Sequence, residues 1–177
     1  MEMVWKRGIF SILTRYLILI ALGVGINVLY FIFTPLTIYP VYFLLDIFFD
    51  ILIIQNILII GESSITLIPA CVAGSAYYLL LIFNLSVPQI KFSKRIKMIL
   101  FAFVVFLILN ILRIFLLDVL NVTSSSLFDI THKLFWYLIS IVFVIGIWFT
   151  EVKMFKIKEI PFYSDVKFLY SKSLLKK

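Results

Sequence analysis

Four stretches of this chain are apolar and close to the length of a membrane-crossing helix, and that limits the fold more than any motif does. A hydrocarbon core needs about 20 apolar residues in helical form. Residues 13–33, 69–87, 98–119 and 132–150 answer to that description. Only 14% of the 177 residues are charged and the mean hydropathy is +1.18, outside the range of soluble domains. The expected fold is an all-α polytopic membrane protein, a bundle of about four full transmembrane helices. Little polar sequence remains for a second domain, so the chain divides into a membrane domain over 1–152 and a basic cytoplasmic tail over 153–177. Met1 to Arg7 is basic and precedes an apolar run with no small-residue cleavage site. It reads as the start of a retained helix rather than a removable signal.

The stretch 35–68 is apolar but interrupted by Pro35, Pro40, Asp46, Asp50, Gly61 and Glu62. Charge decides how it is placed. Of the 16 cations, 14 fall in three clusters: Lys6 to Arg15, Lys91 to Lys97, and Lys153 to Lys177. Cytoplasmic flanks carry excess Lys and Arg. All three clusters reach the inside only if 35–68 does not cross. It is therefore expected at the outer face, as an interfacial helix carrying Tyr39, Tyr42, Asp46 and Asp50 on one side. A short β-hairpin should follow, with Ile57–Ile60 and Ile65–Ile68 flanking Gly-Glu-Ser-Ser. The same count puts 120–131 outside, with an N-x-T sequon at Asn121, and both termini inside. The +7 net charge then reports topology and anionic headgroups rather than nucleic acid.

A single cysteine excludes an internal disulfide. No cluster of ligating side chains has metal spacing, and no Gly-rich loop is built for phosphate. The chain is therefore expected to need no cofactor. Three residues stand out instead. Cys71 opens a small-residue stretch, Pro69-Ala-Cys-Val-Ala-Gly-Ser-Ala-Tyr77, in which Ala70 and Gly74 allow close helix approach. Arg113 lies seven residues before Leu120, roughly 10 Å inside the helix end at about 1.5 Å per residue. His132 opens the fourth stretch at the same face. The uneventful alternatives are a cysteine acting as a small hydrophobe, a capping histidine, and an arginine paired with Asp46, Asp50, Asp118 or Asp129 or snorkelling to headgroups. Together, however, the three suit one chemistry. A nearby cation turns a thiol into a better nucleophile, a histidine shuttles its proton, and a guanidinium steadies an oxyanion. Asn110, one turn before Arg113, could orient it.

Cys71 with Gly74, then Asn110-Ile-Leu-Arg113, then His132, resembles the exosortase/archaeosortase family, most closely its short archaeal members. The resemblance covers residues 50–135 and includes the outer-face hairpin feeding the Cys helix. One departure is that Val72 and Ala73 stand where the family often has Ser or Thr. The resemblance implies a cysteine transpeptidase in the cell membrane, with its site near the extracytoplasmic face. It would cleave C-terminal sorting signals of membrane-anchored protein substrates and transfer the new C-terminus to a lipid or amine acceptor. Cys71 would form the thioester, His132 would act as general acid and base, and Arg113 would steady the charge. Two other functions compete. A non-enzymatic membrane scaffold or assembly factor would tolerate loss of the thiol. A transporter with Arg113 as an anion site would need a polar path, which the inner halves of the helices lack.

Overall fold

A computed structural model describes residues 2–61, 63–123 and 127–172. The chain is mostly helical with one small sheet. Helix α1 (Glu2–Val24) leads into α2 (Ile26–Asp46) through a break at Gly25. Three strands follow, β1 (Ile51–Ile54), β2 (Ile57–Ile60) and β3 (Ser63–Thr66). The Cys segment is α3 (Pro69–Val72) and α4 (Gly74–Leu85). The long α5 (Phe92–Val122) comes next. It is followed by α6 (Phe128–Leu134), a π-helical stretch (Phe135–Ile139), α7 (Ser140–Met154) and the tail helix α8 (Tyr163–Lys172).

Two helices, Ile26–Asp46 and Phe92–Val122, are long and apolar enough to cross a bilayer, and Ile9–Val24 and Pro69–Leu85 are shorter apolar helical stretches. They pack by their buried stripes. In α2, Leu29, Phe33, Thr37, Ile38, Val41 and Leu45 are buried, recurring every three to five residues along one face. Phe33 stacks on Tyr77 of α4, and Phe103 and Phe106 of α5 meet the Tyr77 ring edge-on. α4 runs along both halves of the first helical pair. Tyr78 Oη donates to the Leu19 carbonyl at 2.8 Å, and Gly74 lies against the Tyr30 ring.

The region 35–68 departs in part from its sequence reading. Among the described residues there is no separate interfacial helix; Tyr39, Tyr42 and Asp46 lie in the C-terminal half of α2, which runs through Pro35 and Pro40 without ending, and Asp50 lies beyond it. Proline removes one backbone donor and bends a helix, but here the buried stripe continues on both sides of each proline and outweighs that loss. The expected hairpin is present as β2 and β3, in register from Ile57 opposite Thr66 to Ile60 opposite Ser63. Its turn residue Glu62 lies outside the described residues. An additional strand, β1, pairs antiparallel with β2. A two-residue connection at Gln55 and Asn56, with Gln55 at φ 55°, joins them. Ile51, Leu58 and Ile60 turn inward onto Ile38, Val41 and Leu45 of α2 and Ile114 of α5. The sheet thus covers one end of the bundle with its apolar face and meets the need to pair backbone groups with its own ladder.

Other boundaries also shift. α5 begins at Phe92 and continues to Val122, so Asn121 is the last turn of a helix, not a loop residue. The expected loop 120–131 shrinks to the residues between Val122 and Phe128, of which Ser124, Ser125 and Ser126 lie outside the described residues.

At the opposite end from the sheet, polar groups are buried in pairs. Arg95 on α5 donates to the carbonyls of Asn84 and Val87 and so caps the end of α4. Asn84 donates to Glu151 of α7 at 3.0 Å. Arg15 of α1 donates to the Leu85 carbonyl at 3.1 Å and forms an ion pair with Asp165 at 2.7 Å. Asp165 also accepts from Tyr16 at 3.1 Å, so the tail helix α8 is tied to α1. Asp165→Asn leaves a buried Arg15 without its counter-charge and is expected to weaken α8 docking by about 3 kcal/mol. Limited trypsin digestion of detergent-solubilised protein should then cut at Lys158 and Lys167 while the remaining chain stays intact. Unchanged digestion would show that the ion pair does not hold the tail.

Candidate active site

The Cys segment is shaped by a break in its own helix. Ile68 is extended and Pro69 occupies the first turn, where its missing N–H is no loss. Four residues later Ala73 adopts a left-handed conformation, φ 57° and ψ 42°, and α4 restarts at Gly74. A non-glycine residue there costs roughly 1–2 kcal/mol. The break has a chemical consequence. The Ala76 N–H turns to the Ala73 carbonyl at 2.9 Å instead of reaching back four residues to Val72. The carbonyls of Cys71 and Val72 are left to find partners elsewhere.

Those partners come from α5. Asn110 Nδ2 donates to the Cys71 carbonyl at 3.0 Å and to that of Val72 at 3.4 Å. Arg113 Nη2 donates to the same Cys71 carbonyl at 2.9 Å. Asn110 therefore acts on the Cys71 backbone and not, as its spacing suggested, on Arg113. The second terminal nitrogen, Arg113 Nη1, donates to Ser140 Oγ at 2.9 Å. Ser140 in turn donates to the Phe135 carbonyl at 2.8 Å, closing the π-helical stretch whose widened turn brings the serine into place. The guanidinium is 8% exposed and spends its terminal nitrogens on a carbonyl and a hydroxyl, not on Asp46, Asp50, Asp118 or Asp129.

Cys71, Arg113 and His132 line one cavity of about 220 Å³. The rest of its lining is mostly apolar, from Ile65 of β3 and Ile68 to Ile114 and Leu117 on α5 and Phe128 and Phe135, with Thr66 and Asp118 as further polar side chains. Cys71 is a half-buried free thiol packed against the sheet-side core. Arg113 lies within electrostatic reach of it. His132 is exposed, on α6, with its ring stacked on Phe128 at 5.5 Å and 7°. Gly74 contributes through space: a Cβ there would sit 2.7 Å from the Tyr30 ring, so only glycine lets α4 lie this close to α2.

Two further residues belong to the site; the sequence reading named Asp118 only as a possible ion-pair partner of Arg113 and did not name Ser140. Ser140 carries the second Arg113 contact. Asp118 lines the same cavity and is 5% exposed. The signal for Asp118 was an acidic residue inside an otherwise apolar helical stretch. Ser140 had none, because the π-helical offset shifts the phase of its helix. No family model, curated protein or solved structure matches this chain.

Ala73→Gly removes the Cβ that makes the left-handed conformation costly and keeps the break. It is expected to raise unfolding stability by about 1 kcal/mol, read as a higher melting temperature in detergent. A lower melting temperature would mean that the Ala73 side chain contributes more by packing than its backbone costs.

Proposed function

We propose that the chain is a membrane-embedded cysteine transpeptidase, with Cys71 as nucleophile, Arg113 as the charge-stabilising group and His132 as the proton carrier. The observation that carries this reading is the meeting of a free thiol, a buried guanidinium and an imidazole in one apolar cavity. The thiol attacks a peptide carbonyl and its proton passes to His132, which returns it to the departing amine. Arg113 Nε is buried and has no hydrogen-bond partner among the described residues, so the guanidinium keeps one donor to offer to developing negative charge. The resulting thioester is released by an acceptor. The resemblance to exosortases and archaeosortases supplies the substrate class: exported proteins ending in a short motif, an apolar helix and a basic end.

The accompanying topology is four crossings, by α1 with α2, α3 with α4, α5, and α6 with α7, with the sheet at the outer face and both termini inside. Large apolar side chains point outward from each of these units, including Leu17, Phe31, Leu79, Leu112 and Phe149, as a lipid-facing surface requires. The described residues of the cationic clusters, Arg15, Arg95 and those near α8 among them, fall at the end away from the sheet, the cytoplasmic side on the positive-inside rule. The buried Arg113 is itself the kind of intramembrane charge that marks function.

Thiol labelling tests the topology. In a Cys71→Ala background, Thr123→Cys should react with an impermeant maleimide on intact cells and Lys94→Cys should not; the reverse pattern would overturn the arrangement.

Processing of a co-expressed exported protein bearing a matched C-terminal signal tests the chemistry. Cys71→Ser is expected to abolish cleavage. Arg113→Lys should lose about a hundredfold, since an ammonium cannot replace the guanidinium fork, and His132→Ala about 10²–10⁴-fold. Each variant should accumulate in the membrane as the wild type does. Wild-type processing by Cys71→Ala would end the enzyme reading and leave a scaffold.

A further inference from the structure

Asp118 is a titratable side chain lining the cavity that the proposed cleavage step does not use. It lies five residues beyond Arg113 on α5 and lines the same cavity as Cys71, Arg113 and His132. Its carboxyl is 5% exposed, and Oδ2 has no hydrogen-bond partner among the described residues. It lies within electrostatic reach of the Cys71 thiol. The cation nearest along its own helix, Arg113, has committed both terminal nitrogens to Cys71 and Ser140. Ile114, Leu117 and Phe128, which line the cavity with it, are apolar. A buried carboxylate without a partner is costly, and a cationic or hydrogen-bond-donating ligand removes that cost.

We infer that Asp118 forms the acceptor subsite, binding the ammonium of a primary amine beside the Cys71 thioester and taking its proton. The inference rests on the transpeptidase reading and names the chemistry of its second substrate. The ammonium R–NH3+ gives one proton to the Asp118 carboxylate. The free amine then attacks the thioester carbonyl carbon. A C–N bond forms, the C–S bond breaks, and the Cys71 sulfur leaves as thiolate. The amide nitrogen loses its second proton to His132, which returns it to the thiolate. The proton on Asp118 passes to water at the cavity mouth. A hydroxyl acceptor brings no positive charge to this carboxylate, so the subsite favours amines over alcohols.

The test uses the full-length protein in nanodiscs and needs no sorting signal. p-Nitrophenyl acetate acetylates Cys71, confirmed by intact mass with Cys71→Ser as control. Ethanolamine is then added and the products are divided into acetate and N-acetylethanolamine. In the wild type, choline, a cation of the same size class with no proton on nitrogen, should inhibit amide formation competitively. In Asp118→Asn, the ratio of amide to acetate should fall by about a hundredfold, and Asp118→Glu should restore part of it. Nanodiscs containing an ethanolamine-headgroup phospholipid, compared with choline-headgroup lipid alone, identify the source of the amine. Acetyl on the lipid nitrogen points to a headgroup acceptor, and acetyl only on added ethanolamine to a soluble one; both support the subsite. A wild-type product ratio in Asp118→Asn, or amide formation indifferent to choline, would overturn the inference while leaving the thioester reading intact. Failure of the wild-type Cys71 to acetylate would instead remove the thioester reading, and the acceptor subsite with it.

Discussion

The Cys71 carbonyl, held by Asn110 and Arg113, is the contact on which the arrangement of the site depends. The left-handed turn at Ala73 frees this carbonyl from its helix. In an apolar setting a free carbonyl must be paired, at a cost of several kcal/mol if it is not. Satisfying it from α5 fixes the depth of the Cys helix against that helix. Satisfying Arg113 from Ser140 fixes α7 at the same level. One backbone defect thereby aligns three helices, and the thiol, the guanidinium and the cavity wall follow from the alignment. Strain at Ala73 and a buried charge at Arg113 would each be unfavourable alone; the shared carbonyl makes each compensate for the other.

The two ends of the bundle are built on different principles. At the end away from the sheet, several buried polar side chains find partners: Arg15 with Asp165, Arg95 with the Asn84 and Val87 carbonyls, Asn84 with Glu151. These contacts tie the tail helix and the start of α5 to the core and leave little room for movement. At the sheet end the cover is apolar, with Leu58 and Ile60 over Ile38, Val41 and Leu45, and the polar side chains gather around a cavity instead.

The cavity also separates the tasks expected of a group-transfer site. Cys71, Arg113 and His132 are suited to opening a peptide bond. Asp118 lines the same space from about one and a half turns further along α5 and forms no ion pair with Arg113. Two buried charge-bearing groups that do not pair with each other are costly unless each has a different ligand group to meet. A substrate that develops negative charge and an acceptor that arrives positive are such a pair.

Much of this was legible in the sequence. The apolar stretches, the interruption by Asp46 and Asp50, and the isoleucine-rich segments around Gly61 determined a helical chain with a short sheet before the Cys helix, because hydrophobic periodicity and β-branched runs act locally. Cys71, Arg113 and His132 were visible because each is chemically out of place in its surroundings. What the tertiary structure alone decided is of another kind. The prolines of α2 did not end it, because burial on α4 and α5 outweighs a lost hydrogen bond. Asn110 turned to a carbonyl instead of to Arg113, because the break at Ala73 created an acceptor that no spacing rule anticipates. Ser140 and Asp118 entered the site only when a π-helical offset and the packing of α5 brought them to the same cavity. Local sequence fixes which groups a segment carries; which of them share a space is set by how helices distant in the chain satisfy one another's buried polar atoms.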